Sequence, residues 1–468
     1  MPSTNCFRKL LAALACLMLI GACSKKDDPG PTVPTGPVTQ KEINNWILDS
    51  MRYFYLWSGS LPATADTQPS TTVFFNNLKN SADRFSFLYN PGDLSTYPKY
   101  MLYNYGIDFS VINWPQAPGG AIGVIKLVLP NSPANHQAGL RRGSYFTRIN
   151  GTTLSSSNAA ALSETLLRQS SATFTLATVT SDKVTEDTTI TLAAQSLGEE
   201  PIYQQSIFNS NGKKVAYLFY NYFNDYYNQD LIGAFQQFKT GGASELILDL
   251  RYNPGGSVAA AAVLSALIAP NVNEQSGFVK FSGNTRLGQR TVSFKSALSV
   301  PEGGSPIAFS SLESGRLSLQ RVFILAGPQT ASAAELVINN LKPYTQVVMI
   351  GQNTFGKDKG AVTISDLRKP QRISWVLLPI TYNLFNVNGT GGYTQGIAPQ
   401  YALNEMSYQP LSAIGNTADP LIAKALSIMN NGGRQTAPVQ ERMARIFFDS
   451  RQQAAAGNVV SVPAGLIR

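Results

Sequence analysis

The sequence predicts a multidomain α/β protein, and three observations carry that expectation. At 468 residues the chain is too long for one compact core. Its composition, 43% apolar and 14% charged, is that of a globular protein. From about residue 200, short strand-like apolar runs alternate with helical ones, the pattern of layers around a buried sheet.

The N-terminus reads as an address. Arg8 and Lys9 precede the apolar run from Leu10 to Ile20, the charged and hydrophobic regions of a signal peptide over residues 1–22. That run is too short to span a bilayer stably. It ends in Leu19-Ile20-Gly21-Ala22-Cys23, which resembles a bacterial lipobox; an ordinary signal peptide cut after Ala22 is the alternative. The resemblance implies acylation of Cys23 and a membrane-anchored protein, with residues 23–40, rich in Pro and Gly, as its tether. Lys26-Asp27-Asp28 resembles the short surface-export signal of Bacteroidetes-type lipoproteins, although a charged linker explains it equally well. The implied location is the cell envelope, as a lipid-anchored outer membrane lipoprotein, periplasmic or surface-exposed.

Residues 41–100 carry a helical apolar stripe at Ile43, Trp46, Ile47, Met51 and Phe54, and form an expected N-terminal helical region. Residues 103–195 turn β-rich, with runs at 121–129, 145–149 and 173–179. There Leu129-Pro130-Asn131-Ser132-Pro133-Ala134, Ala138-Gly139-Leu140-Arg141-Arg142-Gly143 and Ile149-Asn150-Gly151 resemble a PDZ domain. In that resemblance Tyr105, Gly106, Ile107, Asp108 and Phe109 form the loop whose N–H groups hold a peptide C-terminus. The peptide would then extend a sheet edge. His136 falls on the short helix of this module and reads as a surface residue.

The alternation then begins in earnest. Strands are expected at 215–219, 245–250, 321–326 and 346–350, and helices at 231–238, 258–267 and 333–341. This alternating segment ends near residue 420, and the tail, 421–468, contains a helical pattern at 438–448 with no assigned role.

Three strand ends carry chemistry. Asp249-Leu250-Arg251-Tyr252-Asn253-Pro254-Gly255-Gly256 closes a buried strand with a Gly-Gly turn, which can aim backbone N–H groups at an anion or serve turn geometry alone. Gly327-Pro328-Gln329-Thr330-Ala331-Ser332-Ala333-Ala334-Glu335 opens a helix. Ser332 and Glu335 taken alone fit a standard capping box, which does not contradict an exposed nucleophile beside unpaired amides. Phe355-Gly356-Lys357 follows a third strand; its lysine is a surface charge unless apolar burial lowers its pKa from about 10.4 towards 7–8.

Together these segments, with Gly396-Ile397-Ala398-Pro399, resemble the C-terminal processing (tail-specific) peptidases, the S41 serine endopeptidases. The resemblance runs from residue 40 to about 420 and implies a peptidase domain over 200–420 with an α/β core of crotonase/ClpP-like type. It places the nucleophile on Ser332 rather than Thr330 and the base on Lys357. It places the oxyanion hole on Gly255 or Gly256 with Ala333. Many relatives carry a glutamine four residues after the lysine; here that position is Ala361, and Lys359 is a rival base outside the register. The implied activity is hydrolysis of cell-envelope proteins with accessible C-termini, selected by the PDZ-like module. The alternative is a peptide-binding lipoprotein that has lost hydrolysis.

Scarcity excludes other chemistries. With one histidine, His136, a multi-histidine zinc site is impossible and a Ser-His triad has one candidate. Cys6, Cys16 and Cys23 are the only cysteines, so thiol catalysis and disulfides are unavailable beyond them. The net charge of +9 is scattered rather than clustered, which argues against nucleic acid as a partner. No metal or cofactor is expected.

Overall fold

The computed structural model describes residues 36–100, 104–136, 140–181, 183–430, 444–452, 460–463 and 466. Cys23 and the expected signal peptide lie outside the described residues. The apolar stripe of the first segment folds as expected: α1 (Gln40–Phe54) buries Ile47, Leu48 and Met51 against Phe74, Phe75 and Leu78 of α2 (Thr71–Leu78). The segment continues into β1 (Phe87–Tyr89), which pairs antiparallel with Val376–Leu378. Residues just upstream of β1 are thereby carried to the core.

The β-rich module comprises β2 (Ile107–Asn113), β3 (Ala121–Val128), α3 (Pro133–His136), β4 (Tyr145–Ile149), β5 (Thr152–Thr153), α4 (Ala159–Leu166), β6 (Ser171–Thr180) and β7 (Lys183–Ala193). The sheet runs β2-β3-β4-β6-β7, antiparallel throughout, with β5 beside β4. Phe109, Phe146 and Phe174 meet edge-on in its core. Gly106 has φ +77°, and a Cβ there would meet the Ser132 Cβ at 2.1 Å, so this turn requires glycine. His136 is exposed at the end of α3.

The core begins with β8 (Ile202–Ser210), β9 (Lys213–Tyr220), α5 (Asn228–Thr240), β10 (Glu245–Asp249), α6 (Val258–Ile268), β11 (Gly277–Ser282), β12 (Gln289–Ser293) and α7 (Phe294–Ser299). It continues with β13 (Arg321–Ala326), α8 (Ala333–Leu341), β14 (Gln346–Gly351), β15 (Lys359–Ala361), β16 (Val376–Leu378), β17 (Ile380–Phe385), β18 (Tyr401–Ala402) and α9 (Pro420–Met429). The main sheet has the order β18-β14-β13-β10-β9-β8; β9, β10, β13, β14 and β18 are parallel and β8 is antiparallel.

Alternate residues of these strands feed two cores. Leu218, Leu248 and Ile324 face α5, α6 and α8, while Tyr217, Ile247 and Phe323 face α9 together with Leu127 and Leu129 of the β-rich module. A sheet covered on both faces needs continuous apolar runs, and the sequence has them. Every residue of α6 is buried, so its Ala-rich run is a core helix.

The tail departs from expectation. Residues 438–443 of the expected helix lie outside the described residues, and Ile446–Asp449, β19, is a strand. It pairs antiparallel with β2, far away in sequence. The physical reason is tertiary: Ile446, Phe447 and Phe448 suit an open sheet edge, and Phe448 buries itself in the module's core. β20 (Val460–Ser461) then pairs parallel with β15.

Candidate active site

The three chemistry-bearing segments follow β10, β13 and β14, adjacent parallel strands, and so converge at one end of the sheet. Their backbones are stitched together. Ala331 N–H donates to Asn253 O (3.0 Å), and Phe355 N–H to Thr330 O (2.9 Å). The Gly396-Ile397 stretch braces the third turn: Ile397 N–H donates to Thr354 Oγ1 (2.7 Å). Thr330 is consumed structurally, its hydroxyl donating to Leu250 O (2.7 Å) and accepting from Gly327 N–H (2.9 Å).

Ser332 sits between β13 and α8 with φ +60° and ψ −118°, a conformation that costs about 1–3 kcal/mol for a residue with a side chain. Ser332 and Glu335 occupy the N-cap and N3 places of a capping box, and Ser332 N–H donates to Glu335 Oε2 (2.9 Å). Ser332 Oγ is buried and has no hydrogen-bond partner among the described residues. A strained turn that presents an unbonded hydroxyl is what a nucleophile elbow requires.

Glu335 reaches further than its own helix. Its Oε1 accepts from Thr354 Oγ1 (2.5 Å) and Gly356 N–H (2.7 Å), and its Oε2 also accepts from Lys357 N–H (2.7 Å). One buried carboxylate therefore holds the backbone of Ser332 and of Lys357 together. Burial pushes its carboxyl group upward in pKa, and the four donors pull the other way.

Lys357 is fully buried, its Nζ 4.9 Å from the centre of the Phe85 ring. Burial lowers its amine to about 7; Glu335 opposes that shift and the nearby Arg84 adds to it. Phe85 arrives from the segment after α2, and the Arg84 guanidinium lies over both Phe85 (4.9 Å) and Phe355 (5.5 Å). Neither Arg84 nor Phe85 belongs to a local motif that the sequence displays. The rival Lys359 is ion-paired to Asp358 (2.6 Å). Ala361 is buried among Phe85, Val376, Leu378 and Ile380 and brings no polar group to the site.

The two glycines divide their roles. Gly255 N–H donates to Asn253 Oδ1 (2.8 Å), and a Cβ on Gly255 would lie 2.5 Å from Ser332 Cβ and 2.9 Å from Ala333 N. Gly255 thus permits close packing on the Ser332 turn while its own donor is committed. Among the described residues, Gly256 N–H and Ala333 N–H donate in no hydrogen bond.

Comparison with known proteins follows the same segments. Residues 214–403 match the model for peptidase family S41, and residues 42–87 match that for the peptidase S41 N-terminal domain. The chain belongs to peptidase family S41. It is 24% identical over 322 residues to the chloroplastic carboxyl-terminal-processing peptidase 1 of Arabidopsis thaliana, covering 68% of this chain and 60% of that protein. It is 26% identical over 237 residues to a carboxyl-terminal-processing protease of Picosynechococcus, covering 49% and 50%. The chain thus spans half to three-fifths of the length of these curated relatives. A solved structure described as an S41 protease of Bacteroides fragilis superposes with a TM-score of 0.67 at 28% identity, covering 85% of this chain and 99% of that one.

The S41 N-terminal match ends just past Phe85, so the segment that delivers Phe85 over the lysine is itself a family feature. The arginine of the first motif has a separate task. Arg251 pairs with Asp249 (2.8 Å), Asp419 (2.8 Å) and Glu405 (2.8 Å), all buried or nearly so. Arg142 of the β-rich module joins through Glu405 (2.8 Å) and the Tyr252 hydroxyl, to which it donates (2.6 Å). Burial would raise Glu405, but Arg142 and Arg251 hold it down at about 2. Asp419 also caps α9, accepting from Leu421 and Ile422 N–H. This S41 core therefore recruits a tail helix to anchor the strand that carries the Gly-Gly turn.

Proposed function

We propose that this S41 protein is a serine endopeptidase working through a Ser332–Lys357 dyad. The observation that carries the reading is the single carboxylate, Glu335, that holds the backbone of an unbonded serine hydroxyl's residue and of a buried lysine with an amine near 7. Lys357 takes the Ser332 proton, Ser332 Oγ attacks the scissile carbonyl, and Lys357 returns the proton to the leaving amine. Gly256 and Ala333 N–H stabilise the oxyanion, since the Gly255 donor is committed to Asn253.

The finer reading treats the β-rich module as PDZ-like and the core as crotonase/ClpP-like. The substrates are cell-envelope proteins with accessible C-termini, and Cys23 carries a lipid anchor to the outer membrane. The antiparallel sheet of the β-rich module and the parallel strand order of the core support the two fold readings; the lipobox supports the third. A competing reading, peptide binding without hydrolysis, draws on Ala361, which gives the amine no orienting group. Casein turnover with fluorophosphonate labelling separates them. The intact chain is expected to hydrolyse and to label, and Ser332→Ala and Lys357→Ala to lose turnover by about 10³-fold or more. Equal turnover by the Ser332→Ala chain removes the dyad.

A further inference from the structure

The edge of β2 that faces α4, where the peptide-capture reading places a substrate C-terminus, is filled by the chain's own tail. β19 pairs antiparallel with β2 in the register Ile446 to Ile112, Phe448 to Val111 and Asp449 to Ser110. It also packs on α4. Phe448 enters the module core, its ring 5.6 Å from Phe109. Beyond the strand, Ser450 Oγ accepts from Phe109 N–H (2.9 Å) and donates to Asp108 Oδ1 (2.8 Å). A backbone donor of the expected carboxylate loop is therefore engaged by a serine side chain of the same protein.

The charges are matched as well. Asp449 pairs with Lys126 (2.7 Å) and accepts from Ser110 Oγ (2.6 Å). Arg451 pairs with Asp108 and with Glu199 (2.8 Å). All five ionic groups are buried. Removing Asp449 takes the ion-pair partner of Lys126, and removing Arg451 takes that of Asp108 and Glu199, the change that makes a buried pair costly to break. Lys126 also stands over the Tyr252 ring (4.9 Å), within the segment that leads to the Gly-Gly turn. The groove is thus completed by a ligand of defined sequence, an aromatic residue followed by acid, small hydroxyl and base.

We propose that the β2–α4 groove is a binding site for an internal peptide segment and that its resident ligand is residues 446–451 of this chain, which any captured peptide must displace. The proposal rests on the peptide-capture reading of this module and not on the dyad. Because the ligand is tethered, a competitor faces an effective concentration on the order of millimolar. The resident chain continues past Arg451, so this ligand is held without a terminal carboxylate.

The test uses a fluorescein-labelled, C-terminally amidated peptide with the sequence of residues 444–452, read by anisotropy on full-length chains carrying Ser332→Ala. The unsubstituted tail is expected to exclude the probe. Asp449→Ala with Arg451→Ala is expected to admit it at least about tenfold more tightly, since the probe restores both missing charges. Phe448→Leu, which keeps every ion pair, is the milder variant should the double one fail to fold, and is expected to fall between them. Amidated and free-acid probes are expected to bind alike. Equal affinity for the intact and substituted tails, or no binding to either variant, overturns the proposal. So does a free-acid probe that enters the intact chain while the amide does not. Turnover plays no part in this measurement, so the dyad and the resident ligand fail independently.

Discussion

Glu335 and Asp249 are both buried carboxylates beside parallel strands of one sheet, yet their partners are chemically opposite. Glu335 accepts from three backbone N–H groups and one hydroxyl. Asp249 accepts from the Arg251 guanidinium and the Tyr217 hydroxyl, inside a cluster shared with Asp419 and Glu405. Guanidinium pairing freezes a junction between distant segments, here β10, the turn at 405 and α9. Neutral donors position two backbones and add no cation of their own beside Lys357. Among the described residues, no buried side-chain atom of Asp249, Arg251, Asp419 or Glu405 lacks a partner, whereas Ser332 Oγ is buried and unbonded. The satisfied cluster holds a junction of the fold, and the unbonded hydroxyl is left available for chemistry.

The contrast can be broken from either side. Arg251→Ala should give the largest effect, about 3–5 kcal/mol of lost stability by urea denaturation, because three carboxylates each lose a buried cationic partner. A loss under about 1 kcal/mol would erase the distinction between the clusters. Glu335→Gln should cost less in folding and more in rate. Its amide NH2 faces groups that are all donors, so the alignment of Ser332 and Lys357 is lost, with kcat lower by about 10²-fold in single-turnover assays. An unchanged kcat would reduce Glu335 to a helix cap.

Acidity sharpens the same point. With Lys357 acting as a neutral base near 7, kcat/KM should rise through about pH 7 and level above it. Stability carries the matching sign. Between about 7 and the ordinary lysine value of 10.5 the unfolded chain binds a proton that the folded chain does not, so stability increases with pH across that window. Loss of the Glu335 charge should move the rate limb to lower pH in any Glu335→Gln activity that remains. The smallest effect belongs to Arg84→Gln: removing a like charge shifts the limb slightly upward, screened because Arg84 is exposed. A downward shift would contradict the assigned role.

Much of the site is legible in the amino-acid sequence. The helix after Ser332 and the strands ahead of all three turns lie where apolar period and turn residues place them. These signals are local, carried by side chains within a few residues of one another. Scarcity of histidine does as much, by leaving a Ser-His triad only His136 as a candidate. Glu335 is legible only as a cap, because its hold on Thr354, Gly356 and Lys357 crosses between two turns. Arg251 resembles part of a glycine-turn motif, and its partners at 405 and 419 lie more than 150 residues away.

The tail marks the limit most clearly. The pattern over 438–448 reads locally as helix, but Ile446–Asp449 is a strand because β2 offers it unpaired backbone groups and α4 a place for Phe448. Strand pairing leaves no local signature in the sequence: its hydrogen bonds exist only once the partner edge is present. Sequence alone therefore determined which residues could do chemistry and which segments carry them. Tertiary structure decided what holds those residues in place and what pairs with the edge of β2, since both depend on groups that meet only in the folded chain.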